Sequence, residues 1–299
     1  MKRVICMLLM MSLIALSAYA DRGSIPFNPV VKIYEPAQRA ILAWNGVEEI
    51  LILSTDLRAS EPTEILEVIP LPSEPVITES DTYLFDRMIR CINEELYRKY
   101  RIGDNIFGDR GDHNGKSPAG EVTFHEKIGA HDITTTHVVE TENFMEWVDD
   151  YLKTSGVENP QIPEPLEDVI EEYLEEGFTW FVFDIVSLGQ DTKTNDAIQY
   201  RFTTNSLYYP LKITRTEEGE TSIELFVLTQ SLLSNFDGIP MDNVSLRHDP
   251  VIVPSYFIRY FGDDFVDLFG DTGSVRLRIW DIKGRLSSFK KDLAVSQHH

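Results

Sequence analysis

Between residues 102 and 120 the chain reads RIGDNIFGDRGDHNGKSPAG, and its oxygen-bearing side chains are the first candidates for chemistry. Hard cations such as Ca2+ take carboxylate and amide oxygens as ligands. With Gly115 at the sixth position of a calcium-binding loop, Asp112, Asn114 and Glu121 fall at the third, fifth and twelfth. Arg110 occupies the first position, where its charge opposes a cation, although Asp109 is adjacent. The flanks read as loop and strand rather than two helices, which argues against an EF-hand. What remains is a looser calcium site drawn from Asp109, Asp112, Asn114 and Glu121, with Ca2+ as the one candidate cofactor. A second acidic cluster, Asp263, Asp264, Asp267 and Asp271, has the same chemistry. The order Gly111 to Gly115-Lys116-Ser117 imitates a phosphate-binding loop. Three residues separate its glycines where the motif needs four, and no strand or helix flanks it. Arg110-Gly111-Asp112 matches an integrin-binding tripeptide, which is too short a match to carry a function.

His125, His131 and His137 recur every six residues, so an unbroken strand would put all three on one face. Gly129 predicts a turn or bulge that breaks this phase. His125-Glu126 lacks the second histidine of a zinc-protease helix, and the chain has no Gly-x-Ser-x-Gly elbow, Cys-x-x-Cys pair or dinucleotide-binding glycine run. The enzymatic alternative is therefore a hydrolase assembled from scattered carboxylates and His131.

The first twenty residues read as a secretory signal peptide: Lys2 and Arg3, an apolar Val4–Leu16, and Ala18-Tyr19-Ala20 as a cleavage site after Ala20. Cys6 lies inside the apolar run, which argues against a lipoprotein anchor. The expected compartment is extracytoplasmic: secreted, periplasmic or at the cell surface. The chain carries 27 basic and 49 acidic residues, a net charge of −22, and loss of Lys2 and Arg3 would bring it to −24. That charge repels phosphate backbones and anionic lipid, so neither nucleic acid nor, after cleavage, a membrane is expected as a partner. Beyond the leader only Cys91 remains, which excludes an intramolecular disulfide; its place on a helix flank reads as a buried, inert thiol.

The elements that must position any site begin at Gln38–Pro75. Two apolar runs flank Asn45-Gly46, a strong hairpin signal, because both residues tolerate the positive φ of a tight turn. In the second run Ile50, Ile52 and Ser54 alternate with Leu51, Leu53 and Thr55; both faces are mostly apolar, so the strand should be central and covered on both sides. Glu64–Ile69 reads as a third strand, stopped by Pro70, Pro72 and Pro75. Leu84, Phe85, Met88, Ile89, Ile92, Leu96 and Tyr97 form one stripe of a helix over Asp81–Tyr100, capped by Asp81. Strands follow at Glu121–Lys127 and Ala130–Val139. A helix capped by Thr141 carries Phe144, Trp147, Val148, Tyr151 and Leu152 on its core face and ends at Gly156; a further helix spans Leu166–Glu176. Phe178–Leu188, Ile198–Thr203, Leu207–Thr214, Thr221–Leu228 and Ser274–Ile282 read as strands, Asp263–Phe269 as a short helix, and the tail from Ser287 as a helix. The expected fold is α+β, a mainly antiparallel sheet with three or four packed helices. Residues 21–229 should form its domain, with 230–299 an extension packed on it.

EPAQRAILAWNGVEEILILSTDL followed by LEVIPLPSEP resembles the opening of the prokaryotic domain-of-unknown-function family 2330. The resemblance resumes at Val122–Asp132, at Met145-Glu146-Trp147-Val148 and at Glu176-Gly177-Phe178, and covers roughly residues 34–229. It implies export and brings no reaction or catalytic residue. The chain departs from the family pattern at His131, where a Tyr is expected, and in lacking cysteines near the start of the mature domain. Together these readings point to an exported, non-catalytic binding or structural protein with a protein or glycan partner; the alternatives are the hydrolase and a calcium-binding surface protein.

Overall fold

The computed structural model describes residues 23–28, 30–31, 33–34, 38–100, 125–128, 130–190, 193–194, 197–217, 219–233, 241–270 and 274–296. The short strands β1 (Gly23–Pro26) and β2 (Ile33–Tyr34) precede a hairpin of β3 (Gln38–Trp44) and β4 (Glu48–Ala59). The hairpin forms where Asn-Gly signals it, but its turn passes over Gly46 and Val47, because Asn45 N–H donates to Glu48 O at 3.1 Å. Asn45 acts as a side-chain clamp instead: its Oδ1 accepts the N–H groups of Val47 and Glu48 at 2.9 and 2.8 Å. Gly46 supplies the positive φ, 103°.

β5 (Thr63–Leu71) runs through Pro70 rather than stopping before it. The described pairing of β1 with β5 ends at Val68, before Pro70, while β9 pairs with β5 through to Leu71. Nor does β5 continue a meander with β4; it enters a different sheet. β6 (Val76–Ser80) leads into α1 (Tyr83–Tyr100), where Asp81 Oδ1 accepts the Tyr83 N–H at 2.8 Å. Of the α1 stripe, Leu84, Phe85, Met88 and Ile92 are buried, Ile89 and Leu96 are partly buried, and Tyr97 is exposed.

β7 (His125–Ile128), β8 (His131–His137), α2 (Phe144–Thr154), α3 (Glu164–Glu175) and β9 (Trp180–Leu188) follow. The N-cap position of α2 is Asn143, not Thr141, and it makes no side-chain capping bond. Next come β10 (Lys193–Thr194), β11 (Ala197–Thr203) and β12 (Leu207–Tyr209), where Pro210 cuts the expected longer strand and a 3-10 turn, Lys212–Thr216, takes over. The chain ends with β13 (Glu220–Thr229), β14 (Val244–Leu246), β15 (Val251–Val253), α4 (Ser255–Ile258), α5 (Asp263–Phe269), β16 (Val275–Arg285) and β17 (Leu293–Val295). The expected C-terminal helix is a 3-10 turn at Leu286–Ser288 followed by β17, which pairs with β12.

The expected single sheet is two main sheets and a two-stranded ribbon of β12 with β17. A five-stranded antiparallel sheet has the order β1-β5-β9-β8-β7; a ten-stranded sheet has the central path β14-β16-β13-β3-β4-β11-β6, antiparallel except where β13 lies parallel to β3. Alternation then builds four layers. Leu66, Val68, Phe181 and Phe183 of the small sheet pack on α2 and α3. Its other face, with Ile69, Leu71, Ile133 and Val182, meets Leu42, Leu51, Leu53 and Val227 of the large sheet. Beyond that, Ile41, Ile50, Ile52 and Phe226 are covered by α1, α4 and α5. β4 is thus buried on both faces, as its doubly apolar sequence requires. The fold is a sheet-rich mixture of strands and helices, and among the described residues no helix is long and apolar enough to cross a membrane.

Candidate functional site

The sequence candidates separate in space. Asp109, Asp112, Asn114 and Glu121 lie outside the described residues. Of the second acidic cluster, Asp264 accepts from Gln199 Nε2 at 2.8 Å and Asp267 from Arg201 Nη1 at 2.6 Å. These bonds clasp α5 to β11. Asp271 also falls outside the described residues.

The three histidines do not share a site. β7 turns back into β8 and places His125 opposite Thr134, so Gly129 does break the six-residue phase. His131 is 1% exposed, between the sheets, with Nδ1 donating to Asp184 Oδ2 at 2.6 Å. Glu67, also buried, stands opposite Asp184 across β5 and β9. A carboxylate hydrogen bond fixes the ring and its tautomer. His131 Nε2 makes no hydrogen bond. The His131 of the hydrolase alternative is therefore an interior group out of reach of solvent, and among the described residues no group of three or more metal-ligating side chains converges.

His137, at the exposed end of β8, is different. Its ring stacks on Trp180 of β9, 4.3 Å between centroids at 14°. The chain then crosses Val138–Asn143 into α2, and a cleft of about 330 Å3 opens at this corner. Its walls include His137, Phe144 and Trp147, and its rim carries Thr136, Glu140 and Asn143. Phe144 and Trp147 lie nearly parallel, 5.8 Å apart at 6°, and Trp147 continues the stack to Tyr151 at 5.4 Å. Phe144 is anchored in the core against Phe181 and Phe183, whereas Trp147 is 39% exposed. The helical stripe assigned Trp147 to the core. Phe144, Val148 and Leu152 are buried against the sheet, whereas the indole rests on Phe183 of β9 at 5.5 Å with its outer part exposed. The corner thus offers flat aromatic faces bounded by hydrogen-bonding groups, in a cleft at the small end of the range of ligand pockets.

A family model described as an uncharacterised protein conserved in bacteria, DUF2330, matches residues 20–249. The chain belongs to the DUF2330 family. The match extends on both sides of the stretch that carries the resemblance in the sequence. No curated protein matches the sequence. Among solved structures this DUF2330 protein is similar to baculovirus P35, with 10% identity and a TM-score of 0.49 over 92% of this chain and 100% of that one. Two structures of mutated baculovirus P35 after caspase cleavage give 11% and 10% identity and TM-scores of 0.40 and 0.42, each over 88% of this chain. Similarity at that level carries no functional meaning.

Behind the groove, on the other side of Tyr173 in α3, the DUF2330 chain buries a second polar network that the sequence did not signal. Asp292, just before β17, accepts from Tyr173 OH at 2.7 Å, Tyr208 OH at 3.1 Å and Lys212 N–H at 2.7 Å. Burial raises its carboxyl from 3.8 to about 6, against the lowering effect of those donors and of the Lys212 charge. Lys212 is itself buried, with Nζ 3.9 Å above the Tyr173 ring and 2.7 Å from Glu176 Oε2. Glu49, fully buried, accepts the Tyr208 N–H at 2.7 Å, and burial raises it well above its ordinary value. The network ties α3, β12 and β17 together around a partly buried Asp292.

Proposed function

We propose that this DUF2330 protein is an exported, non-catalytic binding protein that takes a glycan in the groove between the end of β8 and the start of α2. The single observation that carries the reading is the half-exposed Trp147, held flat between Phe144 and Tyr151 beside the His137–Trp180 stack. Pyranose rings present apolar C–H faces with hydroxyls around the edge. Parallel aromatic rings bury such faces at little entropic cost, since each is already immobilised by its neighbours. Thr136, Glu140 and Asn143 supply the hydrogen-bonding rim that ring hydroxyls require. The N-terminal Lys2-Arg3, Val4–Leu16 and Ala18-Tyr19-Ala20 pattern supports export, which would place the groove before cell-envelope or environmental glycans. The buried position of His131 favours binding over hydrolysis. A groove contacting one or two sugar rings should bind with Kd of about 0.1–1 mM, equivalent to roughly −4 to −5.5 kcal/mol.

The test is a glycan array followed by calorimetry on the residues beyond Ala20, wild type beside Trp147→Ala and His137→Ala. Binding lost at least tenfold in both variants, with thermal unfolding still cooperative, is the expected result. Absence of any glycan binding, or binding indifferent to both substitutions, would overturn the reading.

A further inference from the structure

Resting on the glycan reading of the same groove, we infer that its ligand is a hexosamine oligosaccharide bearing free amino groups, not an acetylated, uronic or sulfated one. The charge around the cleft is of one sign. Glu140 lies on its rim, Glu142 is exposed two residues further on, and Glu146 is exposed beside Trp147 in the first turn of α2. Among the described residues no Lys or Arg lines the cleft. The nearest base on α2, Lys153, is at the helix's other end and is held by Asp149 and Asp150. One opposing field exists: the N-terminus of α2 carries about half a positive charge. Three full carboxylates over the same seven residues, on a chain of net charge −22, outweigh it. An anionic sugar would meet repulsion here without a cation to pair with. A neutral acetylated sugar would gain stacking and hydrogen bonds from the rim but no ion pair. A protonated sugar amine gains stacking, an ion pair with Glu140 and attraction to the electron-rich ring face of Trp147. The same groove therefore supplies both parts of an amino-sugar recognition, the apolar face through aromatic rings and the ammonium through carboxylates.

The experiment compares three oligomers of equal length by calorimetry at low salt and again at about 0.5 M salt: a glucosamine oligomer, its N-acetylated form, and a glucuronate oligomer. The expected order is amine, then acetylated, with uronate not bound. The amine form should lead by about tenfold at low salt, and high salt should collapse that lead because surface ion pairs are screened. Glu140→Gln should reduce the ratio of amine to acetylated affinity at least threefold. Acetylated or uronate oligomers binding as well as the amine form, still dependent on Trp147, would overturn this inference and leave the glycan reading standing. An amine preference unchanged by both salt and Glu140→Gln would overturn it as well. No binding of any oligomer here or on the array would bring down the glycan reading and this inference with it.

Discussion

Replacing Asp292 with Asn should flatten part of the pH dependence of stability. Asp292 is largely enclosed, and burial lifts its carboxyl from 3.8 to about 6. A carboxyl that holds its proton more tightly in the folded state favours folding at low pH. That contribution is fully present below the unfolded value of 3.8 and is lost as pH rises through about 6. At about 1.4 kcal/mol per tenfold change in proton affinity, the loss is roughly 3 kcal/mol. Glu49 and Glu217, both raised by burial, act in the same direction, so wild type should lose more than Asp292 alone accounts for. Asparagine keeps the size of the side chain and its carbonyl acceptor for Tyr173, Tyr208 or Lys212, but has no charge to desolvate. Urea unfolding of both proteins at intervals from pH 4 to 8 isolates the difference. Asp292→Asn should lie close to wild type near pH 4, be the more stable of the two by up to about 3 kcal/mol near pH 7–8, and show a shallower fall between. Parallel pH profiles, or a wild-type stability that climbs from pH 4 to 7, would refute the assignment of a raised, buried carboxyl at this position.

Arg278 is 3% exposed, pairs with Thr229 Oγ1, and has no carboxylate in ion contact among the described residues; burial lowers its guanidinium to about 10. Arg278→Met should raise the melting temperature, or leave it unchanged, because a well-packed apolar chain avoids the cost of a desolvated charge; a loss of more than about 2 kcal/mol would show that the charge is compensated. Cys91 is buried in the contact between α1 and the large sheet, and burial pushes its thiol up to about 12. It should resist alkylation in the native protein at pH 8 and react fully in denaturant, as read by mass spectrometry. Asn45→Ala removes the acceptor of two turn N–H groups and the Nδ2 donor to Leu268 O, and should cost about 1–2 kcal/mol by denaturant unfolding.

The amino-acid order by itself determined the local elements and which of their faces are apolar. The Asn-Gly turn, the doubly apolar strand at Glu48–Ala59, the α1 stripe, the Gly156 and Gly177 helix ends and the short helix at Asp263–Phe269 all appear where short-range periodicity and turn chemistry place them. Those signals act within a few residues and so survive any tertiary arrangement. The family resemblance was legible for the same reason, through contiguous stretches. The partition into two sheets was not, because strand pairing spans long separations: β13 finds β3 and β16, and β5 leaves β4 for β9. Alternation states that a strand has two faces and does not state which layer each face meets. His131 and His137 share one face of β8, and only the packing decides that the first is an interior tie while the second, at the strand's exposed end, is a surface stack. Trp147 belongs to a helical stripe in sequence; in the fold the indole rests on Phe183 and yet stays 39% exposed in the groove. Asp292 is an unremarkable aspartate in sequence; the packing of Tyr173, Tyr208 and Lys212 around it, from positions 80 or more residues away, alone makes its carboxyl unusual.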